Sequence, residues 1–158
     1  MLAGTILHIL GVIVWVGGTL FIHRSVYPAL MVDSKIPNGI EIYLIILKRF
    51  FPWMWIAIVL TIGSGYWIIF SYYGGLELLA YYIQIMSGLG LTMLVNSIVM
   101  HLVPYRGLRA AVESDEIDKA VKQARFLHRL MGANLVLGLV TILMAIAGPE
   151  IQSVIAYL

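Results

Sequence analysis

Four long apolar runs divide this chain: Leu2–Ile22, Phe50–Tyr72, Leu78–Val103 and Leu130–Ala147. At ~1.5 Å of rise per residue, a helix through each run can cross a hydrocarbon layer ~30 Å thick. Polar positions collect between the runs, and two of the gaps carry helix signals of their own. Apolar periodicity continues past Arg24 to about Val32. The stretch "SDEIDKAVKQARFLHR" opens with Ser114 as an N-cap followed by acids, then enters the fourth run without a breaker. The expected loops are therefore "DSKIPNG" and a short acidic turn near Ser114–Asp118, with "SYYGGLE" between the second and third runs. The pattern predicts an all-α integral membrane protein: a four-transmembrane-helix up-down bundle, extended at the end where the polar gaps are longest.

Within the helices, small and polar residues mark the inward faces. Gly4, Gly11 and Gly18 recur every seven residues, with His8, Trp15 and Ile22 between them. Small residues allow close helix approach in lipid, so this stripe is expected to face other helices and to turn His8 inward. Gly90, Ser97 and His101 define a similar face on the third run, and Asn96 and Asn134 stand mid-span as interhelical hydrogen-bonding groups. "HRSVYPAL" from His23 resembles "HLVPYRGL" from His101 at an offset of 78 residues. Residues 1–158 read as one domain, and a true duplication would divide it into hairpins 1–78 and 79–158 related by a twofold axis along the membrane normal.

Charge orients the bundle. All ten Lys and Arg residues surround the first and third loops: Arg24, Lys35, Lys48 and Arg49, then Arg106, Arg109, Lys119, Lys122, Arg125 and Arg129. The positive-inside rule places both loops in the cytoplasm and both termini outside. A prokaryotic inner membrane is the expected location. The opening run has no basic segment before it and reads as a permanent span, not as a cleaved signal. A net charge of +2 describes topology and attraction to membrane lipid, with no sign of nucleic-acid binding. Cysteine is absent, which excludes disulfides and thiolate chemistry. The eight acids lie outside the spans or at their edges, which argues against a carboxylate proton relay within them. No nucleophile–base pair, phosphate loop or zinc spacing is present.

The candidate chemistry rests on four histidines. His23 and His128 each precede an arginine at the cytoplasmic boundary, and His101 lies at nearly the same level. Paired imidazoles on facing helices suit a b-type haem, with Arg24, Arg49 and Arg129 available to its propionates. Two of His23, His101 and His128 would ligate the iron, the repeat favouring His23 with His101. The bland alternative makes these residues snorkelling boundary groups. His8 lies ~22 Å from His23 along the first helix and marks an outer level. There Met86 and Met144 lie at compatible depth, and His with thioethers suits haem or Cu(I). The competing reading is that methionines in apolar helices fill gaps.

The first helix, "LHILGVIVWVGGTLFIHRSVYPAL", resembles the superfamily of CopD-like copper-resistance proteins and HemJ-type protoporphyrinogen oxidases. The shared pattern is His8, Trp15, Gly17–Gly18, Arg24 and Tyr27–Pro28; "RFFPWMWIAIVLTIGSGYW", with Pro52, Thr61 and Gly63, is similar to the second helix. His101 matches a His closing the third helix, and "RLMGANLVLGLV" is similar to a fourth. The resemblance implies a four-helix fold, b-type haem and a role for His8 as ligand. The third-helix Lys of HemJ-type proteins has no counterpart, since residues 84–92 read "QIMSGLGLT". His23 stands where HemJ-like sequences usually have Pro. The expectation is a haem b protein in electron transfer or haem-linked oxidation, with a redox partner or quinone. Copper handling, or a structural subunit of a larger complex, is the alternative. Oxidoreductase activity and homo-oligomerisation stay open.

Overall fold

The computed structural model of the protein describes residues 2–31, 36–75 and 79–156, with Ile155 and Ala156 described by backbone alone. The expectations for Val32, Lys35 and Glu77 lie outside these residues. Four helices account for nearly all of them: α1 Leu2–Met31, α2 Gly39–Tyr72, α3 Tyr81–Glu113 and α4 Ile117–Ala156. Each is long and apolar enough to cross a membrane. No strand occurs among the described residues. Both helical extensions are present, so α1 continues through Arg24 to Met31 and α4 carries its basic segment without a break. One boundary differs from expectation. Ser114 closes α3, its N–H bonding the Ala110 carbonyl at 3.0 Å, and Asp115 takes a positive φ of 57° before α4 begins. The positive φ ends the helix, so Ser114 cannot serve as N-cap of a helix starting beside it.

The helices form two hairpins, α1 along α2 and α3 along α4. Gly11 shows why the first is tight. A Cβ there would lie 2.9 Å from both the Ala57 carbonyl oxygen and the Thr61 nitrogen, so only glycine permits this backbone approach. Gly4 and Gly18 face Ile68 and Phe50 of the same helix, as the heptad stripe predicts. The second hairpin is held by side-chain amides. Asn96 Nδ2 donates to Asn134 Oδ1 at 2.8 Å and to the Leu130 carbonyl at 2.9 Å. Asn134 Nδ2 donates to Ser97 Oγ at 2.9 Å, and Ser97 is fully buried. These are the cross-helix bonds expected of mid-span asparagines.

Packing differs between the two ends of the bundle. At the basic end, Tyr43, Leu47, Phe51, Met54, Met100, Leu127 and Met131 form a dense core drawn from α2, α3 and α4. Toward the terminal end the hairpins diverge. Helix α4 meets α1 over Ile13–Val26, while Leu2–Val12 packs chiefly on α2. The outward faces are apolar along their length, with Val59, Trp67, Leu143 and Ile146 all exposed.

Among the described residues three turns are π-helical: Ile13–Gly17 and Ile22–Val26 in α1, and His101–Tyr105 in α3. Pro28 and Pro104 explain two of them. Proline has no N–H to return to the carbonyl four residues back, and the ladder slips locally to a wider ring. The two proline-linked turns fall at the positions matched by the internal repeat and carry His23 and His101.

Candidate functional site

The diverging hairpins enclose a cavity of about 540 Å³ in the terminal half, reached by residues of all four helices. Its size lies within the usual range for cofactor and ligand sites. Residues of α1 from His8 to Val16, α2 from Thr61 to Ile69 with Tyr73 just past its end, α3 from Tyr82 to Met93 and α4 from Gly138 to Ile146 form the wall. Most are aliphatic or aromatic, and among the described residues no Lys, Arg, Asp or Glu lines it.

His8 is the one imidazole on this wall. Its Nδ1 lies 2.9 Å from the Thr61 carbonyl oxygen. A carbonyl only accepts, so Nδ1 carries the proton and the neutral ring presents a free lone pair at Nε2. Ser64 Oγ, 3.4 Å from the same Nδ1, gives its own proton to the Leu60 carbonyl. Gly65 makes room for the ring, since a Cβ there would lie 3.1 Å from His8 Cε1. A histidine whose tautomer is set by a backbone carbonyl is the arrangement used to present Nε2 to a metal. Met86 contributes a thioether to the same wall, whereas Met144, its expected partner, does not line the cavity. Sequence depth alone could not separate them, because direction around a helix depends on how the hairpins are rotated.

Two residues of this wall carry a buried polar atom with no hydrogen-bond partner among the described residues: Trp15 at Nε1 and Thr61 at Oγ1. Trp15 is 2% exposed and sits at the deep end with Val16, Met93 and Gly138. A buried donor without an acceptor costs roughly 1–3 kcal/mol. Sequence reading paired Trp15 with His8 as a family motif but did not assign it a role.

The expected histidine layer at the basic end does not form one site. No group of three metal-ligating side chains comes together among the described residues. His23 pairs with His128, and not with His101: their Nδ1 atoms are 2.9 Å apart and their ring centroids 4.0 Å apart. Tyr27 stacks on His128 at 3.9 Å. Gly132 leaves space for the His23 ring, a Cβ there falling 3.3 Å from Nε2. His101 sits apart, between Phe51 and Tyr105, and accepts a long 3.5 Å bond from Trp55 Nε1. Two imidazoles trans to one metal need nitrogens about 4 Å apart, twice a metal–nitrogen bond of ~2.0–2.1 Å. The facing Nδ1 atoms are closer than that and are satisfied by each other. Arg24, Arg49 and Arg129 are exposed around this end.

Comparison with protein-family models, with curated proteins and with solved structures yields no match to this chain.

Proposed function

We propose that this is an integral protein of a prokaryotic inner membrane that binds b-type haem in the cavity of its terminal half and serves electron transfer or haem-linked oxidation. The observation that carries the reading is His8, whose Nδ1 is tied to the Thr61 carbonyl and whose Nε2 is free on the wall of a 540 Å³ apolar cavity. His8 would hold the haem iron, and Met86, on the α3 part of the same wall, is the candidate for a second ligand. The clustering of all basic residues at the other end supports cytoplasmic loops and termini on the outside. Bound haem supplies one-electron chemistry at a potential governed by its ligands and burial. The protein's part is to hold the His8 ring in one tautomer, keep water from it with isoleucine walls, and leave carboxylate groups to the wet terminal end near Tyr73 and Tyr82. Among the described residues no Lys or Arg lines the cavity to receive them.

The test is the visible spectrum of protein purified after expression with ample haem. A Soret band lost in His8→Ala, and kept in His23→Ala, His101→Ala and His128→Ala, is the expected result. A band that survives His8→Ala but disappears in the His23 or His128 variant refutes the assignment and returns the cofactor to the basic end. The imidazole–thioether pair of His8 and Met86 also favours a second reading, Cu(I) handling. One equivalent of copper in colourless, folded protein selects it.

A further inference from the structure

The His23–His128 pair joins the two hairpins at the basic end, and its hydrogen bond is bent. The Nδ1 atoms are 2.9 Å apart and the ring centroids 4.0 Å apart. An in-line N–H···N bond of that length would hold the centroids roughly 5 Å apart. The two lone-pair directions therefore do not both lie on the line between the nitrogens, and the rings stand partly side by side, tilted by 38°. The spacing is that of two ligands of one ion. Nitrogens in adjacent positions of a square or octahedron, each ~2.0–2.1 Å from a metal, lie about 2.8–3.0 Å apart. Tetrahedral positions would require about 3.3–3.4 Å. Both rings are held in place. Tyr27 stacks on His128 at 3.9 Å with 11° between the planes. The His23 ring lies over Gly132, where even a Cβ would come within 3.2 Å of Cε1. His23 also rides on the π-turn Ile22–Val26, a helix irregularity frequent at functional sites. Both histidines are half-buried, and their sequence neighbours Arg24, Ser25 and Arg129 are exposed, so the pair borders the polar surface of this end. The two arginines lower its affinity for a cation, but exposure leaves their charge screened by water and salt.

We propose that His23 and His128 form a two-imidazole site for a late divalent transition-metal ion of square or octahedral geometry, Cu2+ or Ni2+, with water in the remaining positions. Imidazole donors select these ions over Ca2+ and Mg2+, which take oxygen, and the short spacing selects them over tetrahedral Zn2+. In the metal-free pair one Nδ1 carries the shared proton. On binding, that proton moves to Nε2 of its own ring, so both imidazoles ligate through Nδ1 as neutral groups and no electron is transferred. The ion would tie α1 of the first hairpin to α4 of the second. The site is separate from the cavity and does not rest on the haem reading.

The experiment adds one equivalent of Cu2+ to untagged full-length protein in detergent micelles and records the electron paramagnetic resonance spectrum, with the metal-free spectrum subtracted. The expected result is a tetragonal Cu2+ signal whose superhyperfine splitting counts two directly bound nitrogens. Cu(I) held by His8 and Met86 gives no such signal, so the two copper readings stay distinct. His23→Ala and His128→Ala should each remove the two-nitrogen signal and weaken binding about a hundredfold or more, because one arm of the chelate is gone. His101→Ala, outside the pair, should keep both. Saturating Ni2+ should raise the unfolding midpoint of the wild type and leave that of either single variant in place, since only the intact pair ties the folded hairpins together. The nitrogen count is read on the wild type, so it stands whether or not a variant folds. A wild-type signal from one nitrogen or none, a two-nitrogen signal that survives either variant, or a Ni2+ shift as large in His23→Ala as in the wild type each overturns the proposal.

Discussion

Gly11→Ala should separate α1 from α2 and disturb His8 three residues away. The added Cβ would lie 2.9 Å from the Ala57 carbonyl oxygen and 2.9 Å from the Thr61 nitrogen, and it would also overlap Thr61 Oγ1. Two of these neighbours are backbone atoms of a continuous helix and cannot rotate away. Ordinary contact begins near 3.4 Å, so the helices must part by about half an ångström at this level. The same movement stretches the His8 Nδ1–Thr61 carbonyl bond from 2.9 Å toward about 3.4 Å, past the normal hydrogen-bond range. Overpacking of this kind costs roughly 1–3 kcal/mol, and a lost hydrogen bond adds about 1 kcal/mol. The expected destabilisation is about 2–4 kcal/mol, read by reversible unfolding in mixed micelles. Gly63→Ala and Gly17→Ala are the internal controls, because a Cβ at either position meets nothing within 4 Å. In a helix interior those substitutions should be neutral or stabilising by up to about 1 kcal/mol. Haem affinity, if the proposed ligand is correct, should fall in Gly11→Ala and hold in both controls. Equal stability of Gly11→Ala and Gly63→Ala would show that the helices do not approach as closely as described, and the argument for a preset His8 would go with it.

Three further outcomes follow from the packing. Asn134→Leu should loosen the second hairpin by about 1 kcal/mol, since two cross-helix bonds of ~0.6 kcal/mol each are lost while Asn96 keeps the Leu130 carbonyl and Ser97 the Met93 carbonyl; a change below measurement in the same unfolding assay would remove the amide network from the account. His23 and His128 share a single hydrogen bond, so a double-mutant cycle of His23→Ala and His128→Ala should give a coupling of about 0.5–1.5 kcal/mol, while His23→Ala with His101→Ala should be additive. Coupling in the second cycle would restore the three-histidine layer. Glu113→Gln breaks the Arg109–Glu113 ion pair at 2.7 Å, but both side chains are more than half exposed, and the midpoint of unfolding should not move.

The sequence by itself determined everything that follows from the free energy of placing a group in hydrocarbon or in water. Four apolar runs and two basic clusters are enough to specify four helices long and apolar enough to cross a membrane, and their loops, because each helix satisfies its own backbone and needs no partner to be recognised. The glycine heptads were legible for the same local reason: Gly4, Gly11 and Gly18 share a face whatever they face. Mid-span Asn96 and Asn134 could be read as bonding groups because lipid offers them no alternative. Tertiary structure decided which helices share a face and where space remains. Depth along a helix put His23, His101 and His128 at one level, yet the rotation of each helix joins His23 to His128 and turns His101 toward Trp55. Depth likewise treated Met86 and Met144 alike, and only the first reaches the cavity. The cavity itself could not be read from residue order. Empty volume arises where two hairpins, each tightly packed internally, diverge from each other, and that angle is set jointly by contacts distributed over all four helices.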